Sequence, residues 1–266
     1  MTHKAKKRFG QNFLHDQGVI SRIVHSIRPT AEDHLIEIGP GQGAITRELL
    51  KATGRLEAIE LDRDLLRPLA QMCAELGSLQ IYNADALKFD FCQLQTEERP
   101  AQLRLVGNLP YNISTPILFH LLEQSRCIKD MHFMLQKEVV ERMAAGPGSK
   151  IYGRLSVMLQ ALCKVEPLFD IGPGAFTPAP KVDSAFVRLI PFSSPPLKIE
   201  DQALFSQIVT QAFGQRRKTL RNSLRELISD EIFAAAEIDP ALRAERLSLA
   251  EFVKLSNLAW KTRQST

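Results

Sequence analysis

Leu35-Ile36-Glu37-Ile38-Gly39-Pro40-Gly41-Gln42-Gly43 decides how this chain is read. Residues 35–38 make a short buried strand, and the glycines that follow permit a tight turn in which backbone can approach a ligand closely. Residues 44–53 then have helical character, with Gly54 as the stop signal. The alternation continues outward, with strands expected at 56–61, 79–82, 103–107 and 131–135 and helices at 64–76 and 114–123. A doubly wound α/β sheet is the expectation. Two further candidate strands, 164–171 and 184–190, have only the Pro/Gly-rich stretch 172–180 between them, so an antiparallel end to the sheet is expected. Residues 191–196 read as a linker and the remainder as helical. This places one domain at 1–192 and a small helical domain at 197–266.

The chain has 266 residues, 44% hydrophobic and 24% charged, enough for one large core and a small second one. No run approaches membrane-spanning length, and the basic start (Lys4, Lys6, Lys7, Arg8) leads into no signal-peptide apolar region. A cytoplasmic protein without membrane association is expected. Cys73, Cys92, Cys127 and Cys163 lie far apart without a Cys-x-x-Cys pair, which suggests neither a disulfide framework nor zinc. The six histidines show no ligand spacing either, so no metal is expected. The net charge of +4 is unevenly placed. Besides the N-terminal cluster, Arg216, Arg217, Lys218, Arg221 and Arg225 run with no acidic residue until Glu226. On a helix Lys218, Arg221 and Arg225 fall within one arc, and Leu220, Leu224 and Leu227 within another. The charged arc is either a solvated face or a contact for phosphate.

Gly39-x-Gly41-x-Gly43 nearly satisfies a dinucleotide fingerprint, with Ala44 in its last place, so a nicotinamide enzyme is one reading. In either case Glu60, closing the second strand, is the expected acceptor for ribose hydroxyls. Asp85, after the third strand, is read either as an acceptor for an adenine amino group or as a helix cap. Asn108-Leu109-Pro110-Tyr111 follows the fourth strand, where open α/β sheets bind ligands. The Asn108 side-chain oxygen and the Leu109 carbonyl can accept both hydrogens of a planar amine. Pro110 restricts the turn, and Tyr111 offers a flat face to a nucleobase. Hydride transfer has no use for an amine clamp, so the tetrapeptide favours methyl transfer.

Together these pieces look like a class I S-adenosylmethionine-dependent methyltransferase acting on an amino group conjugated to a π-system. Three more stretches narrow the likeness: Phe9-Gly10-Gln11-Asn12-Phe13-Leu14, Phe176-Thr177-Pro178-Ala179-Pro180-Lys181-Val182-Asp183-Ser184 and Phe213-Gly214-Gln215-Arg216-Arg217-Lys218-Thr219-Leu220-Arg221. With them the chain resembles the ribosomal RNA adenine dimethyltransferases over essentially its whole length. The resemblance implies a seven-stranded, mostly parallel Rossmann-like methyltransferase sheet with a small C-terminal helical domain that binds RNA. It implies S-adenosyl-L-methionine as cofactor, with Asn12 and Leu14 closing over it, Gly39 and Gly41 against it, Glu60 on its ribose, and Asp85 and Asn108 completing the site. It implies that Phe176 stacks on the target adenine opposite Tyr111, although by itself Phe176 reads as a loop anchor and Phe13-Leu14 as the start of an amphipathic helix. The implied reaction is dimethylation of two adjacent adenosines in small-subunit (16S) ribosomal RNA, with RNA contacts from Arg216, Arg217, Lys218 and Arg221. The implied partner is the pre-small-subunit particle, and a monomer is expected. The Erm resistance enzymes share the first two stretches, so Erm-like methylation of large-subunit RNA is the alternative, followed by a non-catalytic assembly factor on the same fold.

Overall fold

The computed structural model describes residues 11–97 and 102–264. Lys4, Lys6, Lys7, Arg8, Phe9 and Gly10 lie outside them. A two-residue strand, β1 (Phe13–Leu14), precedes α1 (Gln17–Ile27), whose first turn is capped by Asp16 accepting from the Val19 N–H at 2.9 Å. Thus Phe13-Leu14 is not a helix start. The chain then alternates through β2 (His34–Ile38), α2 (Thr46–Thr53), β3 (Arg55–Ile59), α3 (Arg63–Cys73), β4 (Ser78–Tyr82), β5 (Leu103–Asn108), α4 (Ser114–Glu123) and β6 (Ile128–Gln136). Next come α5 (Lys137–Ala144), α6 (Arg154–Leu162), β7 (Cys163–Ile171), β8 (Phe176–Thr177) and β9 (Ser184–Pro191).

The seven-stranded sheet has the order β4-β3-β2-β5-β6-β9-β7, parallel from β4 to β6, with β9 antiparallel to β6. The doubly wound α/β reading is therefore what the molecule adopts. The last two long strands are neighbours as expected, but β9 inserts between β6 and β7. Every residue of β2 is buried because helices cover both faces of a parallel sheet, which is why 35–38 reads as a continuous apolar run with one acid in it. Gly54 ends α2 in the left-handed region (φ 69°), its N–H donating to the Leu50 carbonyl. β1 pairs antiparallel with β8, Phe13 with Thr177 and Leu14 with Phe176, a long-range contact that no periodicity announces.

Two compact units form, Met1–Val140 with Glu166–Pro191, and Glu141–Val165 with Phe192–Thr266. The expected boundary at 192–197 differs from this, since 141–165 goes with the later helices. Hydrogen bonds explain the grouping: Gln160 Nε2 donates to the Met143 and Ala145 carbonyls at 2.8 and 2.9 Å, and the Gly148 N–H donates to the Glu245 carbonyl at 2.7 Å. The second unit is completed by α7 (Gln202–Gly214), α8 (Leu220–Leu224), α9 (Asp230–Ala236) and α10 (Leu249–Gln264) around Phe205, Phe233 and Phe252. Because α8 has only five residues, Lys218 and Arg225 lie outside it and the expected charged helix face is broken up.

Cys92 and Cys127 are disulfide-bonded, contrary to the expectation of no disulfide. They are 35 residues apart, and only the folded contact between two 3-10 turns, Phe91–Leu94 and Ser125–Cys127, brings them together.

Candidate active site

The carboxyl ends of β2, β3 and β5, the residues after β4, and β1 enclose a cavity of about 360 Å³, a size that suits a cofactor-scale ligand. Gly39, Gly41, Glu60, Asp85, Asn12, Leu14 and the whole of Asn108 to Tyr111 line it. The structure therefore brings together every expected cofactor-site residue and the tetrapeptide. Phe176 is the exception. It is 3% exposed, packed in the core beside Leu14, Ile171 and Phe186, and does not line the cavity. Pairing of its strand with β1 turns that side chain inward, so it is the loop anchor of the plainer reading in this conformation.

Local chemistry accounts for each position. Gly41 has φ +58°, which strains any side chain there, and a Cβ would lie 3.2 Å from the Phe13 ring, so the cover would have to give by a few tenths of an ångström. The Gly41 N–H donates to Glu60 Oε2 at 3.2 Å and the Asp62 N–H to Oε1 at 2.7 Å. One carboxylate thus ties the glycine turn to the end of β3. Burial raises the Glu60 pKa, while these backbone donors oppose the shift. Asp85 Oδ1 accepts from the Leu87 N–H at 3.0 Å, so the turn-capping reading holds while the residue also faces the cavity.

At the tetrapeptide, the Leu109 N–H donates to the Met134 carbonyl at 3.2 Å and the Ile113 N–H to the Pro110 carbonyl at 3.1 Å. Asn108 Nδ2 donates to the Asn12 carbonyl at 2.9 Å. A carbonyl can only accept, so this contact assigns the amide orientation and leaves Oδ1 as its acceptor end. Tyr111, half-buried, hydrogen-bonds through its hydroxyl to Ser184 Oγ at 2.7 Å.

Glu37 is a site residue that motif spacing does not single out, although an acid inside an apolar strand just before the glycine turn is a visible signal. It is buried, lines the cavity, and its Oε2 has no hydrogen-bond partner among the described residues. Burial pushes its pKa up to about 7, reinforced by the charge of Glu60; the nearby Thr46 hydroxyl opposes the shift without a well-formed hydrogen bond. Since the unfolded value is 4.5, the folded state holds the extra proton in between, and stability falls as pH rises from 4.5 through about 7. Glu37→Gln should abolish that slope and raise stability above neutrality by about 2–3 kcal/mol. Urea midpoints for both proteins at acid and alkaline pH check this.

The basic residues at 216–221 are all exposed. Arg216 donates to the Lys150 carbonyl and lies 3.9 Å from Glu245, and Arg221 pairs with Asp230 at 3.2 Å. Among the described residues no cluster of three His, Cys, Asp or Glu side chains could hold a metal, and no helix is long and apolar enough to cross a membrane.

This sheet order, with a glycine turn, two strand-end acids and the Asn108 to Tyr111 turn at one rim, defines a Rossmann-like methyltransferase. The Ribosomal RNA adenine dimethylase family matches residues 2–261, and the chain belongs to that family. A relative from Hahella chejuensis named Ribosomal RNA small subunit methyltransferase A is 57% identical over 258 residues, 97% of this chain and 94% of that protein. The crystal structure of a dimethyladenosine transferase from Plasmodium falciparum is similar at a TM-score of 0.79 and 26% identity, covering 91% of this chain and 95% of that one. That of the 23S rRNA methyltransferase ErmE is similar at 0.70 and 25%, covering 93% and 99%.

Proposed function

We propose that this enzyme transfers methyl groups from S-adenosylmethionine to N6 of two adjacent adenosines in small-subunit (16S) ribosomal RNA, dimethylating each, in the cytoplasm during small-subunit assembly. The observation that carries the reading is the shared cavity: the amine clamp and the candidate cofactor residues line one space. The residues fit the cofactor. Its sulfonium is cationic, and Glu37 and Glu60 bring carboxyl groups to the cavity lining, beside a glycine turn that a Cβ at Gly41 would crowd. Glu60 would take the ribose hydroxyls, Asp85 the adenine amino group, and Asn12 with Leu14 the covering side. Asp85 Oδ2 is free of the capping contact made by Oδ1.

When bound, S-adenosylmethionine supplies an electrophilic methyl group. The chain's own task is to hold the acceptor. Adenine N6 is a poor nucleophile because its lone pair is delocalised into the ring. Hydrogen bonds from N6 to Asn108 Oδ1 and the Leu109 carbonyl would turn that pair toward the donor, with Tyr111 stacking on the base. Positioning of this kind can supply roughly 7–11 kcal/mol of the barrier. The proton leaves after attack, to water or a carbonyl, so no His or Cys is needed. The second transfer requires the monomethylated amine to rotate and present its remaining hydrogen. A flipped base costs a few kcal/mol to unstack, which Tyr111 helps to return. Phe176 could share that task only after leaving its core position.

The exposed surface carrying Arg216, Arg217, Lys218 and Arg221 is assigned to RNA phosphate. Neutralising Arg217, Lys218 and Arg221 together should weaken RNA binding and flatten its salt dependence by about one log–log unit for each phosphate no longer neutralised, with cofactor affinity unchanged. An unaltered slope would remove this surface from the interface. Labelled methyl transfer to purified small-subunit particles and to large-subunit RNA, followed by nucleoside analysis, tests the whole reading. Dimethyladenosine is expected in the former, and methylation confined to the latter would favour the Erm-like alternative.

A further inference from the structure

We infer that Ser184 is a positioning residue for methyl transfer, acting through the Tyr111 hydroxyl to hold the ring in the place where the target base stacks. The inference rests on the adenine-clamp reading above. Tyr111 is fixed at both ends. Its carbonyl accepts from Ser114 Oγ at 3.0 Å, and its phenol oxygen lies 2.7 Å from Ser184 Oγ, either atom donating. Between these anchors the ring lines the cavity. Rotation about χ1 would carry the phenol oxygen away from Ser184, whereas rotation about χ2 leaves that oxygen on its axis, so this hydrogen bond fixes where the ring stands over the cavity.

The anchor itself sits on rigid backbone. Ser184 is fully buried at the first position of β9, in register with Gln136 of β6, and the Lys137 N–H donates to the Asp183 carbonyl at 2.9 Å. Its hydroxyl reaches 73 residues back along the chain to a turn on another strand. A buried serine that merely satisfied itself would commonly bond a carbonyl in its own segment, as Ser114 and Ser223 do here. A stacking contact contributes only when the face meets the base squarely, and a small misplacement of a reacting nitrogen costs rate steeply. Burial raises the Tyr111 pKa, so the phenol remains a neutral hydrogen-bonding group through neutral pH.

A double-mutant cycle tests the assignment. Ser184→Ala, Tyr111→Phe and the double variant are compared by single-turnover methyl transfer to small-subunit particles at saturating S-adenosylmethionine, with cofactor dissociation constants and melting temperatures measured alongside. Each single variant is expected to lower the rate constant about tenfold, and the double variant no further, because all three lack the same bond. Cofactor affinity should stay within about twofold. Tyr111→Phe breaks the bond without touching β9, so a folding defect at position 184 cannot imitate the coupling. A double variant slowed by the product of the single effects, or a Ser184→Ala rate equal to wild type, would overturn the assignment. Asn108→Ala in the same assay reports on the clamp alone: a normal Asn108→Ala rate sinks the clamp, whereas an additive cycle with a slow Asn108→Ala sinks only Ser184.

Discussion

Asn108→Ala is expected to leave S-adenosylmethionine affinity nearly unchanged while lowering turnover on small-subunit particles by about 10²-fold or more. The two ends of the amide have different tasks in the proposed reaction. Its nitrogen is held by the Asn12 carbonyl at 2.9 Å, and its oxygen is the acceptor assigned to the amine. Alanine deletes both the acceptor and the bond to the Asn12 carbonyl, but without the oxygen–oxygen repulsion of an aspartate and with Glu60 and the glycine turn in place, so the loss falls mainly on orientation of the base. Asn108→Asp is informative beside it. A carboxylate keeps an acceptor but cannot donate to Asn12, so it should recover only part of the rate, with repulsion between two oxygens loosening β1 over the cavity. Isothermal titration with the cofactor and single-turnover transfer separate the two effects. Near-normal turnover by Asn108→Ala would sink the clamp.

Arg104→Met should cost about 3–5 kcal/mol of stability and leave the transfer rate per folded molecule intact. Arg104, 6% exposed on β5, grips Asp130 of β6 through Nε and Nη2 at 2.9 and 3.1 Å and Asp33 through Nη1 at 2.7 Å, and also donates to the Ile27 carbonyl at 2.8 Å. Asp130 is wholly buried, and its remaining cation, Arg188, is 2.9 Å away. Burial alone would push the Asp130 pKa up; the hydrogen bonds and charge of Arg104, with His132 and Arg188, outweigh it and hold the carboxyl below its ordinary value. That contribution is present above the unfolded pKa and lost as pH falls through the folded one, so the penalty in Arg104→Met should shrink on acidification. Denaturant midpoints at neutral and acid pH measure both effects. Since Arg104 precedes Asn108 by four residues, toward the amino end of β5, the variant should fold into an active enzyme wherever it folds at all.

How far the chain is legible without coordinates depends on how local each signal is. Residues 114–123 are expected as a helix and form one; 103–107 and 79–82 are expected as strands and lie in β5 and β4. Each carries its periodicity or apolar run within a few residues. The cavity-lining set is legible for the same reason, because a parallel sheet delivers the ends of its strands to one rim. Phe176 departs from its expected place because its partner strand, β1, is two residues long and more than 160 positions away. The Cys92–Cys127 bond and the grouping of 141–165 with the C-terminal helices leave no local signal either, both being contacts across sequence distance.

By itself, then, the sequence determined the alternation of strands and helices, the glycine turn, and the residues at the strand ends that line the cavity. Those follow from backbone freedom and hydrophobic period, which act over a few residues. Only the tertiary structure decided which end of the Asn108 amide meets the Asn12 carbonyl, that Glu37 is buried against the cavity, and that Ser184 meets Tyr111. Hydrogen-bond direction and desolvation depend on neighbours from distant segments, and no local pattern encodes those neighbours.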